Sequence, residues 1–367
     1  MRIRNWIYVM MAVVLLLGTL SGCGAAPQQQ EESAAAGDYV TGDSSSSADK
    51  QENSSNGPTK VEGATSDKLI TLPDQKPVEE TPAVEETPEE TTKEEVTEEK
   101  PKEEEPEVTV EEGNLLKIVD YNVRCADDGP GKLISERAPR FEQLMDQLDP
   151  DIMGLQEVTP PWLTYLEENF GKDYEIIHRW RAASSQEGTP ILFKKDRFKK
   201  LDSGYFWLSD TPNRESKAEN WGSEHYRICM WVKLRVKATG KDFLYFNTHF
   251  DFKETCHVNS AELIITEVVK QKGFGKYAVF CSGDYNMGAT GKGHQAMCRK
   301  FADINQALNN DKTPTYTAYD QNKGSIIDFV FYSPKLVKPV KYQVLNQKID
   351  GGFISDHSGI YVEAALI

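Results

Sequence analysis

No two cysteines in this sequence stand in a C-x-x-C spacing, and only six occur among its 367 residues. That scarcity excludes a disulfide-dense scaffold and a zinc ribbon. The patterns H-E-x-x-H and G-x-S-x-G are missing as well. Their absence removes the helix-borne zinc-hydrolase site and the serine nucleophile elbow. "GATGKG" (288–293) imitates a phosphate-binding P-loop, but Asn286 stands where the first glycine is required and Gly293 where a Ser or Thr belongs. No repeat returns at a fixed period. Positive charge is short too, with 42 Lys plus Arg against 58 Asp plus Glu, a net charge of −16.

That acidity is unevenly placed. Residues 24–112 hold 25 acidic and 7 basic side chains, and two arginines precede them, so 113–367 carries 33 of each sign. The part able to fold is therefore near neutral and lacks the basic balance of a protein that grips duplex DNA through many phosphates. Residues 24–112 are rich in Ser, Gly, Thr, Pro and Glu, as in "EETPAVEETPEETTKEEVTEEKPKEEEPE". Too few apolar residues are present there to offset chain entropy, so the expectation for 23–112 is a disordered, extended spacer.

At the N-terminus, two arginines, an apolar run and "LSGC" form a secretory signal pattern. The ending resembles a bacterial lipobox, which implies a signal peptide over 1–22, lipidation at Cys23 and attachment to the extracytoplasmic face of the cell membrane. The competing reading is a transmembrane anchor over Trp6 to Leu20. The other cysteines, Cys125, Cys229, Cys256, Cys281 and Cys298, are odd in number; one bridge is possible among them.

From residue 113 onward the pattern becomes globular. "LLKIVDYNV" and "DPDIMGLQEV" read as strands around a helix, "RAPRFEQLMDQL", with Phe141, Leu144, Met145 and Leu148 on one stripe. A second helix follows over "PWLTYLEENF". "YEIIHRW", "TPILFKKDRF", "YFWLS" and "RICMWVKLRV" read as four strands, and "KATGKD" as the turn into "FLYFNTHF". Ala261, Ile264, Ile265 and Val268 mark another helix, and "YAVFCSGDYN", "SIIDFVFYS", "VKYQVLN" and "GIYVEAALI" complete a strand-rich half. Many strands with few helices suggest an α/β fold of two packed sheets covered by helices.

Polar residues fall at strand ends: Asn122, Glu157, Asn247 with His249, Asp284 with Asn286, Asp328, and Asp356 with His357. Each alone is an ordinary turn former or cap. Together they are carboxylates, imidazoles and amides from separate strands, the composition of a site at the carboxyl ends of a sheet. Gathered carboxylates repel and need a cation, and hard oxygen donors favour Mg²⁺, Mn²⁺ or Ca²⁺. A zinc set of His249, Asp251, Cys256 and His257 is disfavoured, because a loop is expected to part the first two from the last two.

The ordered stretches "YNVR", "LQEV", "NTHFD", "SGDYN", "IIDFVF" and "SDHSGIYVE" resemble the endonuclease/exonuclease/phosphatase superfamily of metal-dependent phosphoesterases. The resemblance implies a four-layered α/β sandwich, two central, mostly antiparallel sheets flanked by helices, over 113–367. It implies that Glu157, with Asn122 and Asp356, holds Mg²⁺ (Mn²⁺ or Ca²⁺ in its place). Asp284 would orient or deprotonate the attacking water, and Asn286 would hold Asp284 and the phosphate. His249 and His357 would contact phosphoryl oxygens or assist the leaving group, and Asp328 would pair with His357. Phe329 and Phe252 depart from the family's usual polar residues. Arg227 is a candidate phosphate ligand.

The resulting expectation is an extracellular, membrane-anchored phosphoesterase using in-line attack by an activated water. Its partners would be a phosphate ester (nucleic acid, phospholipid headgroup, inositol phosphate or sugar phosphate) and, through the lipid, the membrane; no protein partner is expected. The alternatives are a nuclease specific for extracellular DNA or RNA, and a non-catalytic surface binding protein that keeps the fold.

Overall fold

The structure, a computed structural model, describes residues 111–308 and 310–367. The signal segment, Cys23 and the spacer up to residue 110 lie outside the described residues. The first strand, β1 (Leu115–Asn122), shows how the sequence builds the sandwich. Leu116 and Ile118 face one side and Val119 and Tyr121 the other, and all four are buried. A strand covered on both faces reads as a near-continuous apolar run, as "LLKIVDYN" does.

In chain order there follow α1 (Ile134–Leu148), β2 (Ile152–Gln156), α2 (Pro160–Phe170), β3 (Tyr174–Ile177), β4 (Trp180–Ala182), β5 (Ser185–Gly188), β6 (Ile191–Lys194), β7 (Phe198–Trp207), β8 (Ile228–Val236) and β9 (Asp242–His249). The second half holds α3 (Glu254–Lys270), β10 (Ala278–Asp284), α4 (Lys292–Cys298), β11 (Ala302–Asp303), α5 (Ile304–Leu308), β12 (Asp328–Tyr332), β13 (Val337–Leu345) and β14 (Gly359–Leu366). One six-stranded sheet runs β13-β14-β1-β2-β6-β3, the other β11-β12-β10-β9-β8-β7, and β4 and β5 form a separate hairpin.

Three apolar clusters separate four layers. The inner faces of the two sheets meet over Ile118, Ile152, Phe243, Phe280 and Ile360. Helices α1 and α2 cover the outer face of the first sheet through Phe141, Leu144, Trp162 and Leu166. Helices α3 and α4 cover the second through Ile264, Val268 and Met297. The four-layered sandwich implied by the motifs is therefore the observed architecture, and the paired strands are antiparallel except in two places.

Those two places set the site. β1 pairs with β2 in parallel, and β9 with β10 in parallel, each pair near the middle of its sheet. Their carboxyl ends deliver Asn122 and Glu157 from one sheet, and His249 and Asp284 from the other. Two sheets stacked face to face lie about 10 Å apart, so four short polar side chains projecting from these ends converge.

Local readings differ in places. "YEIIHRW" is divided, with β3 ending at Ile177 and β4 opening at Trp180. "YFWLS" is the end of β7, which begins at Phe198; its middle is an exposed edge, so the apolar signal vanishes there. α3 begins at Glu254, so Cys256 and His257 lie in its first turn, beyond the short loop that follows His249, as expected. "KGHQAMC" forms α4 behind Gly291 as its N-cap, a helix the glycines had hidden. No disulfide joins the described cysteines; Cys125, Cys229, Cys256, Cys281 and Cys298 are all free.

Candidate active site

A cavity of about 460 Å³ opens between the two parallel-pair ends, and Glu157, Arg227, His249, Asp284, Asn286, Asp356 and His357 all line it. Its floor is an amide strut. Asn122 Nδ2 donates to Asp284 Oδ2 at 2.9 Å and to Glu157 Oε1 at 3.0 Å, joining carboxylates from opposite sheets. Asn122 Oδ1 in turn accepts from the Arg124 amide at 2.9 Å. Asn122, which the resemblance sets beside the metal, bridges the Glu157 and Asp284 carboxylates here.

Glu157 and Asn286 both have left-handed backbone conformations, φ 59° and 48°. Such strain in non-glycine residues persists only when surroundings enforce it, and it collects at functional sites. The Asn286 amide donates to Asp284 Oδ1 at 2.9 Å, while its side chain donates to the Phe250 carbonyl at 3.0 Å. Asn286 thus holds Asp284 by its backbone, and its Nδ2 is committed elsewhere. Gly283, just before, has φ 153°, and a Cβ there would overlap the Thr248 carbonyl, which explains the glycine in "SGDYN".

Asp328 lies at the start of β12, directly across from Asp284 in register. Its carboxylate meets His357 Nδ1 at 2.9 and 3.2 Å. His357 Nε2 then faces Asp284 Oδ2 at 3.7 Å, and His249 Nε2 approaches the same oxygen at 3.3 Å. Phe329, the departure beside Asp328, turns to the outer face and packs on Tyr285 and His294, away from the cavity. Phe252 stands exposed at the cavity rim.

The two histidines are driven in opposite directions. Burial works against the charged form of His357, but Asp328, Asp284 and Asp356 outweigh it and push the imidazole up to about 10. Burial, Arg227 and Arg181 hold His249 well below its ordinary value. One is thus an imidazolium and the other neutral at neutral pH, the separation that divides acid from base roles in an active site. Burial and the Asp328 carboxylate raise Asp284 to about 7, against the pull of His357. Burial also lifts Asp356, while hydrogen bonds from Cys125 and Asn122 and the His357 charge hold Glu157 below its usual range in spite of burial.

The donor set fits a hard divalent cation. Ligand atoms of Glu157, His249 and Asp284 lie within 4.8 Å of one another, as do those of Asp284, Asp328 and His357. Asp356 faces the same cavity and feels the Glu157 charge. Three or more carboxylates concentrated this way call for a cation, and oxygen donors select Mg²⁺, Mn²⁺ or Ca²⁺ over soft metals. The zinc-like set of His249, Asp251, Cys256 and His257 is not among the groups of close ligand atoms in the described residues.

Sequence reasoning missed the support beneath the site. Arg137 of α1 is fully buried and donates to the carbonyls of Val123, Arg124 (3.0 Å), Ala126 (2.8 Å), Lys132 (2.8 Å) and Ile354 (3.1 Å). It staples the loop after Asn122 to the loop before Asp356. The signal was available: Arg137 falls four residues before Phe141, on the apolar stripe, where a charge needs a reason. Below the floor, Gln156 Nε2 donates to Asp120 Oδ1 at 2.8 Å and to Asn247 Oδ1 at 2.7 Å. Asn247, expected at the site with His249, is instead part of this buried ladder. Glu187 and Arg181 of the β4–β5 hairpin also line the cavity, and a short polar hairpin gave no periodic hint of them.

A family model for the Endonuclease/Exonuclease/phosphatase family matches residues 121–357. No curated protein matches the chain. Among solved structures it is similar to an endonuclease/exonuclease/phosphatase family protein from Bacteroides thetaiotaomicron, at 29% identity and TM-score 0.62, over 69% of this chain and 98% of that one. A mannosyl-6-phosphatase from Bacteroides thetaiotaomicron matches at 28% identity and TM-score 0.62, over 68% of this chain and 100% of its own. The D. rerio TDP2 complexed with single strand DNA product shares the fold, at 19% identity and TM-score 0.56, over 68% and 98% of the two chains. With the matched span covering the strand-end residues from Asn122 to His357, the chain belongs to the endonuclease/exonuclease/phosphatase family, the metal-dependent phosphoric ester hydrolases.

Proposed function

We propose that this phosphoesterase works with Mg²⁺ at the extracytoplasmic face of a cell membrane, anchored by a lipid on Cys23, and hydrolyses phosphate esters by in-line attack of water. One observation carries the reading: Asp284 Oδ2 is met by His249 Nε2 at 3.3 Å, His357 Nε2 at 3.7 Å and the Asn122 amide at 2.9 Å, at the base of an open cavity. Glu157, with Asp356 and Asp284 nearby, would hold the cation. When bound, it supplies charge neutralisation and Lewis acidity at a phosphoryl oxygen.

The chain's own groups do the rest. Asp284, held at Oδ1 by the Asn286 amide, orients the attacking water and takes its proton. His357, fixed through Nδ1 by Asp328, presents a charged Nε2–H to the developing negative oxygen. His249, kept neutral, adds a hydrogen bond without a full charge. The "LSGC" ending of the signal pattern supports the lipid anchor, and the near-neutral folded part makes nucleic acid the weaker substrate class.

Hydrolysis of p-nitrophenyl phosphate and bis-p-nitrophenyl phosphate, with and without Mg²⁺, tests the chemistry. Metal-dependent release of nitrophenol is expected; a folded, metal-binding protein that turns over neither, nor a wider phosphoester panel, would be a binding protein instead. Metabolic labelling with palmitate tests the anchor: label lost in Cys23→Ser is expected, and label absent from the native chain sinks it.

A further inference from the structure

The cavity has a second lobe, on the far side of His249 from Asp284, that the hydrolytic residues leave unused. Arg181, Glu187, His225, Arg227 and Phe252 line it, with Thr189 in a small recess behind. Among the described residues, twelve buried side-chain polar atoms have no hydrogen-bond partner, and five are here: Thr189 Oγ1, His225 Nδ1, Arg227 Nε, Arg227 Nη1 and His249 Nδ1. Arg227 is only 4% exposed. Leaving buried donors unmatched costs about 1–3 kcal/mol each, so such a cluster indicates a ligand that satisfies them.

The chemistry of that ligand follows from the groups. Arg181 and Arg227 bring two positive charges, Glu187 and Asp251 two negative ones, and they stand close: Arg181 Nη1 to Glu187 Oε1 at 2.6 Å, Arg227 to Glu187 and to Asp251 at 3.9 Å each. Asp251 stands behind Arg227 rather than in the lining, so the lobe itself presents both signs of charge, two guanidinium groups beside the Glu187 carboxylate. Guanidinium only donates, carboxylate only accepts, and imidazole nitrogen does either. A ligand that answers both kinds of group in one small space must donate and accept, as a set of hydroxyls does. At the rim Phe252 is 52% exposed, its ring 5.6 Å from His225 and beneath the Arg227 guanidinium at 5.7 Å. It offers an apolar face to the C–H side of a ring.

We propose that this lobe is a subsite for a polyhydroxylated leaving group, a six-membered ring with vicinal hydroxyls, so that the substrates are phosphate esters of sugars or related polyols. This rests on the hydrolytic reading above. Glu187 and Arg227 bind hydroxyls, Phe252 stacks on the ring, and the phosphate points past His249 toward Asp284.

The test compares kcat/KM for mannose 6-phosphate, myo-inositol 1-phosphate and cyclohexylmethyl phosphate, the last keeping the ring without hydroxyls. A site built to hydrogen-bond hydroxyls should favour at least one polyol ester by roughly 10³-fold or more. A ratio near one for both overturns the subsite. Glu187→Gln should cut the favoured ratio on the order of 100-fold, because its hydroxyl partner is left poorly matched. Phe252→Ala, at an exposed position that cannot unfold the domain, should cut it roughly tenfold. Unchanged ratios in both variants overturn the proposal. If none of the three esters is turned over, the nitrophenyl esters and the wider panel decide the hydrolytic reading, and saturation-transfer NMR with methyl α-D-mannopyranoside on Asp284→Asn decides the subsite alone. Contact that Glu187→Gln removes upholds it; no contact overturns it.

Discussion

Among the described residues two histidines are hydrogen-bonded to an aspartate, His357 to Asp328 and His294 to Asp303, and of these two His357 lines the cavity of the site. His357 meets Asp328 through Nδ1 at 2.9 Å; His294 meets Asp303 through Nε2 at 3.1 Å. Both imidazoles are buried, and in both the paired aspartate lifts the histidine against burial, helped by Asp284 and Asp356 for His357 and by Cys298 for His294, to about 10 and about 9. They part at the second nitrogen. That of His357 looks into the cavity toward Asp284 at 3.7 Å. That of His294 meets Cys298 Sγ at 3.5 Å within α4, with Phe329 and Phe331 against its ring. A His–Asp pair is therefore no evidence of catalysis by itself. What counts is whether the free nitrogen is delivered to a place where charge develops.

The sharpest way to break that distinction is to remove each imidazole in turn. His357→Ala should lower kcat/KM on phosphate esters by roughly 10²–10⁴-fold, the usual worth of a positioned proton donor. Asp284→Ala should do at least as much, and both proteins should keep their thermal melting within a few degrees. His294→Ala should retain activity within a few fold. If folded His294→Ala lost as much turnover as His357→Ala, the contrast would collapse.

The pairs also differ in what holds them. His294 and Asp303 ride on α4 and β11, whereas Asp328 opens β12 and His357 sits on a loop stapled by Arg137. Arg137→Met strands several buried carbonyls, at about 1–3 kcal/mol for each left unmatched. A fall in unfolding free energy of about 3 kcal/mol or more is expected from urea titration, along with reduced turnover in the protein that remains folded. An unchanged midpoint would mean the loops need no staple.

The sandwich was legible because its central strands are buried on both faces and its helices carry clean stripes. β1, β2, β9 and β10 each read as an apolar run with a polar residue at or just past its end, and β14 as one preceded by Asp356 and His357, and those polar residues marked the site. What stayed hidden had no periodic signal. The β4–β5 hairpin that supplies Arg181 and Glu187 is short and polar, and β7 lies at a half-exposed sheet edge. Asn247 shows the limit in the other direction: one residue type at one strand end served both readings, and only the sheet register put it into the buried ladder with Gln156 and Asp120. The His294–Asp303 pair shows it again, since nothing in the spacing of His294 and Asp303 told which way the ring would turn.

The second pair gives the smaller effects, and they appear in stability. His294→Ala should cost about 1–3 kcal/mol, a buried hydrogen bond to a charged partner. Its pH dependence has a definite sign. The folded imidazole titrates near 9, above the ordinary value of 6.5. Below pH 6.5 folded and unfolded chains both carry the proton, and the ion pair contributes fully. Between 6.5 and 9 the folded chain holds a proton that the unfolded chain has released, so stability falls as pH rises. Above 9 that contribution is gone. Asp303→Asn removes the carboxylate responsible while leaving an oxygen for the Asn305 amide that Asp303 Oδ1 now receives at 2.9 Å. All other titrating groups are shared, so the difference between the two proteins isolates this pair. The gap in unfolding free energy should be widest near pH 6 and narrow by on the order of 1 kcal/mol or more by pH 9.5. A gap that stays constant across that range would mean that His294 is neutral throughout, and that the resemblance between the two pairs extends no further than their geometry.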